Sequence, residues 1–285
     1  MARHSSTGSA VNSSAESEGF AIIIIDLNEL TGIVDVGVRR ASAFLKLGLR
    51  NLDAPPLRDL TLNGDAAYSF WPVPLPGEVW GAVAAEYKVW LIGSCLKELD
   101  QYFSLFLDRA WFCLDHMDQS GATSPEGNVI SADPGFSERT NSANKFASVA
   151  KRLNFEADAG CLASLSCARN ALTHGMGQVR ERDLTDKAGR LLVVQWRALV
   201  GFLIDGENEM TLEDAVASGY VTRGRSQVQA RPVRRFKSFE VGEKIDLSAN
   251  DLAEICMFYS RNASSIRERM VQHAQAKGIP REPKA

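Results

Sequence analysis

Arg169, Asn170, Ala171, Leu172, Thr173 and His174 run directly into Gly175, Met176 and Gly177, and here side chains able to do chemistry stand at a helical spacing. A permanently charged guanidinium and an imidazole fall within about one and a half turns of one another. Asn170 and His174 are four positions apart and share a face. Arg169 starts roughly 140° round from His174, a gap its long side chain narrows. An imidazole that titrates near neutrality can take a proton from a ribose 2′-hydroxyl or give one to a leaving 5′-oxygen. A guanidinium can hold the charged phosphorus centre in a two-pronged grip. The spacing therefore points to phosphodiester cleavage that needs no metal and no cofactor, with Arg169, His174 and Asn170 as the catalytic candidates. The plainer reading of the same residues is capping: Arg and His near a helix C-terminus bond the last carbonyls and favour the macrodipole, and Asn serves a turn.

The elements that must hold this motif follow from the flanking residues. Leu162, Leu165, Ala168 and Leu172 recur at three- and four-residue steps, so they form an apolar stripe that buries against a neighbouring helix. Gly175 and Gly177 supply the left-handed conformation that ends a helix, leaving His174 in or beside the last turn. Glu98 and Asp100, on a long apolar helix upstream, are carboxylates that could orient Arg169 or His174 from one helix away, although acidic residues on such a helix more often make a solvated face.

An Arg, a polar residue, three further positions and a His near the end of a helix resembles the R-x4-6-H signature of the HEPN superfamily. The run from Ser166 to Leu184, SCARNALTHGMGQVRERDL, is similar to the RN-x-x-x-H-x-x-G-x-V pattern of its bacterial members. The long helix bearing Lys97, Glu98, Leu99 and Asp100 looks like the family's first helix with its acidic residue. The resemblance covers roughly Pro76 to Val179 and the C-terminal helix, and residues 191–247 depart from a minimal HEPN bundle. It implies a mainly α-helical antiparallel bundle, here with a small antiparallel β insertion. It also implies a metal-independent endoribonuclease of the toxin or defence type, acting on RNA as a homodimer with two motifs facing one cleft, with a cognate antitoxin or other protein as a further partner. The alternative within the same resemblance is a non-catalytic module that binds RNA, a nucleotide or a protein.

Composition bounds the remaining classes. The chain has 285 residues, 45% hydrophobic and 24% charged, which suits one large or two modest soluble domains. The apolar run Ala21 to Ile25 is far too short to span a bilayer, and the Ser-rich leader before it carries Glu16 and Glu18 where a signal peptide wants basic charge. No membrane association is expected. The formal net charge of −3 offers no global attraction to nucleic acid, so an RNA site must be a local patch. Five cysteines (Cys95, Cys113, Cys161, Cys167 and Cys256) contain no C-x-x-C pair and fall mostly in apolar helical patterns, which reads as reduced thiols in a cytoplasmic protein. His4, His116 and His273 pair at no metal-ligand spacing, and the chain has no Walker loop, G-x-G-x-x-G strand turn or G-x-S-x-G elbow.

Along the chain, residues 1–19 read as a disordered Ser-rich tail and 20–75 as an N-terminal extension. In that extension Ile22 to Ile25 favours a strand and Val36 to Leu49 a helix, and neither is assigned. Residues 76–190 and 248–275 form the helical bundle, with 191–247 as the β insertion. Within the bundle, Gly77 to Met117 makes one helix or two joined at Gly93. A mobile loop follows over Asp118 to Asn144, then helices over Lys145 to Phe155, Ala157 to His174 and Asn250 to Gln275. In the insertion, Leu191 to Val200 is strand-like, Asp205-Gly206 marks a turn, and Phe236 to Leu247 holds another strand-like stretch around Val241 to Glu243. From Ala215 to Phe239 there is no acid, while Arg223, Arg225, Arg231, Arg234, Arg235 and Lys237 cluster, a set suited to an RNA backbone and equally to solvated strands or an acidic partner.

Overall fold

The computed structural model describes residues 25–52, 54, 61–63, 67–69, 76–119, 136, 141–222, 224 and 226–280. The Ser-rich tail, the run Ile22 to Ile24, most of the loop after Asp118, Arg223 and Arg225 lie outside these residues. The fold is mainly helical with a three-stranded antiparallel sheet.

Helix α1 spans Leu27–Leu52 and buries Leu30, Val34, Gly37, Ala41, Leu45 and Gly48, a set spaced by threes and fours along one face. Asp26 caps it, accepting from the backbone N–H of Asn28 at 2.8 Å. Two of its face positions are glycines in close contact with a neighbouring helix. A Cβ at Gly37 would lie 2.5 Å from the Tyr102 Cβ, and one at Gly48 would lie 2.4 Å from a Leu91 methyl. These contacts draw α1 tightly along α2, Gly77–Gln119, whose 43 residues span roughly 65 Å. So α1, read from sequence as part of an extension, shares the bundle's core. A hairpin of β1 (Thr61–Asn63) and β2 (Ala67–Ser69) stands between them in sequence.

Helix α2 is the spine of the core. From Leu91 onward it buries Leu91, Ile92, Cys95, Leu96, Leu99, Phe103, Phe106, Leu107, Ala110 and Leu114, while Trp80 to Trp90 lie nearer the surface. The helix runs unbroken through Gly93, whose Cβ would sit 3.1 Å from the Leu172 Cβ. That glycine is a seat for a neighbouring helix, and no joint forms there.

Helix α3, Ser142–Arg152, begins three residues before the expected start at Lys145 and is capped by Asn141, whose side chain accepts from the Asn144 N–H at 2.9 Å. Its Lys145 is buried, and the ammonium lies 2.7 Å from the Asp108 carboxylate and 2.9 Å from the Ser104 hydroxyl. Helix α4, Ala159–His174, carries the motif and packs on both α2 and the sheet.

The sheet has the order β4-β3-β5, with β3 at Leu191–Asp205, β4 at Asn208–Thr211 and β5 at Gln227–Glu240. Asp205 and Asn208 pair across a turn whose Gly206 has φ +66°, the left-handed value that hairpin turns need. Alternation along β3 puts Leu192, Val194, Trp196 and Ala198 into the same core as the helices. The other edge of β3 is closed by side chains: Thr185 Oγ1 accepts from the Val193 N–H at 2.8 Å and Ser164 Oγ from the Gln195 N–H at 3.0 Å. Two boundaries differ from the sequence expectation. Strand β5 starts at Gln227, well before Phe236, and Val241-Gly242 is a turn with Gly242 at φ +89°.

A short helix, α5 (Leu212–Ala217), follows β4, and α6 (Ala249–Ala276) closes the bundle. Helix α6 begins with a capping box in which Ser248 and Asp251 each bond the other's backbone N–H, at 3.1 and 2.6 Å. It then lays Leu252, Ile255, Cys256, Tyr259, Ala263, Ile266 and Met270 into the core.

Candidate functional site

The stripe of Leu162, Leu165, Ala168 and Leu172 is buried, which fixes α4 rotationally and sends the polar residues of the motif to its flank. Arg169 turns toward α2. Its Nη1 donates to Asp100 Oδ2 at 2.6 Å, and its Nε and Nη2 donate to Asn170 Oδ1 at 3.2 and 2.9 Å. The second oxygen of Asp100 accepts from the Ser142 hydroxyl at the start of α3. A single carboxylate with a side chain only 12% exposed thus ties together three helices, and the guanidinium it holds keeps 29% of its side chain in solvent. Of five guanidinium N–H groups, three are engaged among the described residues, so one each on Nη1 and Nη2 is open to a ligand there.

Below this pair lies the fully buried Tyr259 of α6. Burial pushes its phenol far above the ordinary value, the Asp100 charge adds to the rise and the Arg169 charge opposes it. The phenol stays neutral at any working pH.

His174 is exposed at the C-terminal end of α4. The helix end is closed by other groups: the Gly175 and Gly177 N–H groups both donate to the Ala171 carbonyl, at 2.9 and 3.1 Å, and Arg180 Nη2 donates to the His174 carbonyl at 2.8 Å. Thr173 Oγ1 donates to the Arg169 carbonyl at 2.8 Å. The capping duty that the letters of the motif could have served is carried by Gly175, Gly177 and Arg180, while the Arg169 guanidinium faces Asp100 and the His174 ring forms no hydrogen bond or ion pair among the described residues. Gly175 is required at its position, since a Cβ there would meet the Ala171 carbonyl oxygen at 2.5 Å.

The other carboxylate singled out, Glu98, does not reach the motif. Two residues along a helix turn a side chain by about 200°, and Glu98 accordingly points to α1, where Arg40 Nε donates to it at 2.7 Å. Ser142, Tyr259 and Arg180 were not legible as motif neighbours, because each is brought in by packing and none by spacing.

The basic segment is reshaped by its neighbours. Arg231 pairs with Glu209 of β4 at 2.7 Å and lies over the Phe202 ring; Lys237 pairs with Asp251 of α6 at 2.6 Å; Arg235 stands 3.8 Å from Glu254. The acids absent from residues 215–239 are supplied across the sheet and from α6. Arg234 is exposed and makes no ion pair among the described residues.

Beside the end of α4 is an open groove of about 340 Å³ between it and α2. It is lined by Trp90, Ser94 and Lys97 of α2, Thr173 and Met176 at the end of the motif, and Lys244. Lys244 is carried there by a short antiparallel bridge, Gln178 to Lys244, with the Ile245 N–H donating to the Gly177 carbonyl at 2.9 Å. Among the described residues no three His, Cys, Asp or Glu side chains gather as a metal-ligand set, and no helix is long and apolar enough to cross a membrane. No protein-family model matches this chain, and no curated protein or solved structure matches it.

Proposed function

We propose that this chain is a metal-independent endoribonuclease of HEPN-like build, with His174 moving the proton and Arg169 holding the phosphate. The reading is carried by one observation: Asp100 fixes the Arg169 guanidinium at 2.6 Å with two N–H groups unengaged among the described residues, about one and a half helical turns from an imidazole that the helix end does not use. In the reaction the ribose 2′-oxygen forms a bond to phosphorus and the bond from phosphorus to the 5′-oxygen breaks. One proton leaves the 2′-hydroxyl for a base and another reaches the 5′-oxygen from an acid. The products are a 2′,3′-cyclic phosphate and a free 5′-hydroxyl. Asn170 orients the guanidinium through its side-chain oxygen.

One imidazole cannot be base and acid in the same step, so a second copy of the motif across a two-fold axis completes the site. RNA is then the substrate, a homodimer the active unit, and a cognate antitoxin a class of protein partner, in a cytoplasmic setting suited to reduced thiols. The test is cleavage of mixed cellular RNA by the purified chain in EDTA, with the termini analysed. Cyclic phosphate and 5′-hydroxyl ends that disappear with His174→Ala support the reading, and equal cleavage by both proteins overturns it. A second reading draws on the three N–H groups of Arg169 already engaged: a non-catalytic module binding RNA, a nucleotide or a protein. Binding of RNA with no cleavage by either protein supports that one.

A further inference from the structure

The groove beside the motif joins a flat ring to two unshared positive charges. Trp90 is 63% exposed, unusual for the largest apolar side chain, and its ring is held by Tyr87, stacked at 5.9 Å between centroids with 23° between planes. Across from it Met176 is 81% exposed and stands at φ +51°, in the left-handed region that a residue with a Cβ seldom adopts. Gly177 follows at φ +82°, where a Cβ would press on Val89 at 3.0 Å, so the turn lies close against α2 and presents the Met176 side chain at the groove. Lys97 and Lys244 line the same space and neither forms an ion pair among the described residues, whereas Lys88 nearby is spent on Asp246 at 3.0 Å. Lys97 is three residues before Asp100, so the groove approaches the held Arg169 along α2.

We propose that this groove seats one nucleotide of a single-stranded RNA, its base stacked on Trp90 against Met176 and its phosphate between Lys97 and Lys244. An exposed aromatic face accepts any base, and paired ammonium groups hold a phosphate without reading sequence, so the site gives affinity and register with little base preference. Glu86, also in the lining, is an acceptor for an exocyclic amine of the stacked base. The proposal rests on the RNA reading of Arg169 and His174 and states where the chain running into that site is gripped.

The test is fluorescence anisotropy of a short fluorescein-labelled, single-stranded 2′-O-methyl RNA, which cannot be cleaved by 2′-oxygen attack, titrated with the full chain in EDTA. Trp90→Ala is expected to weaken binding about tenfold or more, and Trp90→Phe, which keeps a ring, to stay within about threefold. Quenching of indole emission by the probe should fall in Trp90→Phe although binding persists. Lys97→Ala with Lys244→Ala is expected to weaken binding and to flatten its dependence on salt by about 0.7 in log–log slope for each phosphate that is no longer neutralised. All three side chains are at the surface, and unchanged thermal melting confirms folding. Probe binding that is the same in the unmodified protein and in both Ala variants overturns the groove while leaving the ribonuclease reading intact. A probe that does not bind the unmodified protein, which also leaves cellular RNA uncut, overturns both.

Discussion

Asp100 on α2 and Arg169 on α4 are joined at 2.6 Å between Oδ2 and Nη1, and the remaining carboxylate oxygen of Asp100 is taken by Ser142 on α3. This pair is at once the junction of three helices and the support of the candidate site. Asp100→Asn keeps the shape and removes the charge, so it is expected to cost about 1.5–3 kcal/mol of stability, the worth of a hydrogen bond to a charged group. Urea unfolding measures that cost. Under the proposed mechanism the same variant also lowers cleavage while RNA affinity changes less, because the guanidinium is no longer fixed.

His174→Ala is expected to lower cleavage by about 10²–10⁴-fold, the usual span for a lost general acid or base. The ring is exposed and uninvolved in capping, so the melting temperature should hold. Mixing unmodified chains with an excess of His174→Ala chains, with subunit exchange demonstrated, reads the composite site. Cleavage per unmodified chain should fall strongly as mixed dimers form, and constant cleavage at every ratio would mean that each chain works alone.

The basic strand is best probed at Arg234. Arg235→Glu would put a carboxylate beside Glu254, which already holds the indole N–H of Trp196 at 2.8 Å, and would confound binding with stability. Arg234→Glu alone is expected to weaken RNA binding across sequences and flatten the salt dependence if β5 tracks the backbone. An unchanged affinity and slope assigns the arginines to guarding an edge strand, a role that charges and Pro232 suit.

Far from the motif, Asp118 joins the ends of three helices. Burial alone would raise its carboxyl, but hydrogen bonds from Arg152, His273 and Lys277, together with the Arg152 charge, outweigh that and hold it at about 2 against an ordinary 3.8. A depressed folded value means the contribution is complete above the ordinary carboxylate pKa and is lost as pH falls through about 2. Comparing unfolding of Asp118→Asn with the unmodified protein should give a difference near 1 kcal/mol at pH 6, after solvent screening, that shrinks steadily below pH 4. A difference that persists at pH 2 contradicts the linkage.

The thiols should be inert in the native protein. Burial pushes Cys95 up to about 12, helped by Cys256 and Glu98, and burial likewise raises Cys161 and Cys256. Little thiolate exists near pH 8, so titration with an aromatic disulfide should leave these three unreacted until guanidinium unfolds the chain. Rapid reaction of all five cysteines under native conditions contradicts this.

What the sequence determined by itself is local: the apolar period that makes α4 a helix, the point after His174 where it ends, although Met176 and Gly177 rather than Gly175 take the left-handed conformation there, and the turn at Asp205-Gly206. Each depends on residues within a few positions of one another, where spacing is geometry. Tertiary structure decided the rest. Whether Asp100 or Glu98 meets Arg169 turns on the rotation of α2, which its buried face from Leu91 to Leu114 sets against α1, α3 and α4. The acid-free stretch became ion-paired because Asp251 and Glu254 come from a helix that the fold lays beside β5. The groove exists because Gly93 and Gly177 let α4 close on α2, leaving Trp90 beside Met176. Charge and shape at a surface are sums over elements distant in sequence, and only the packed core fixes which elements those are.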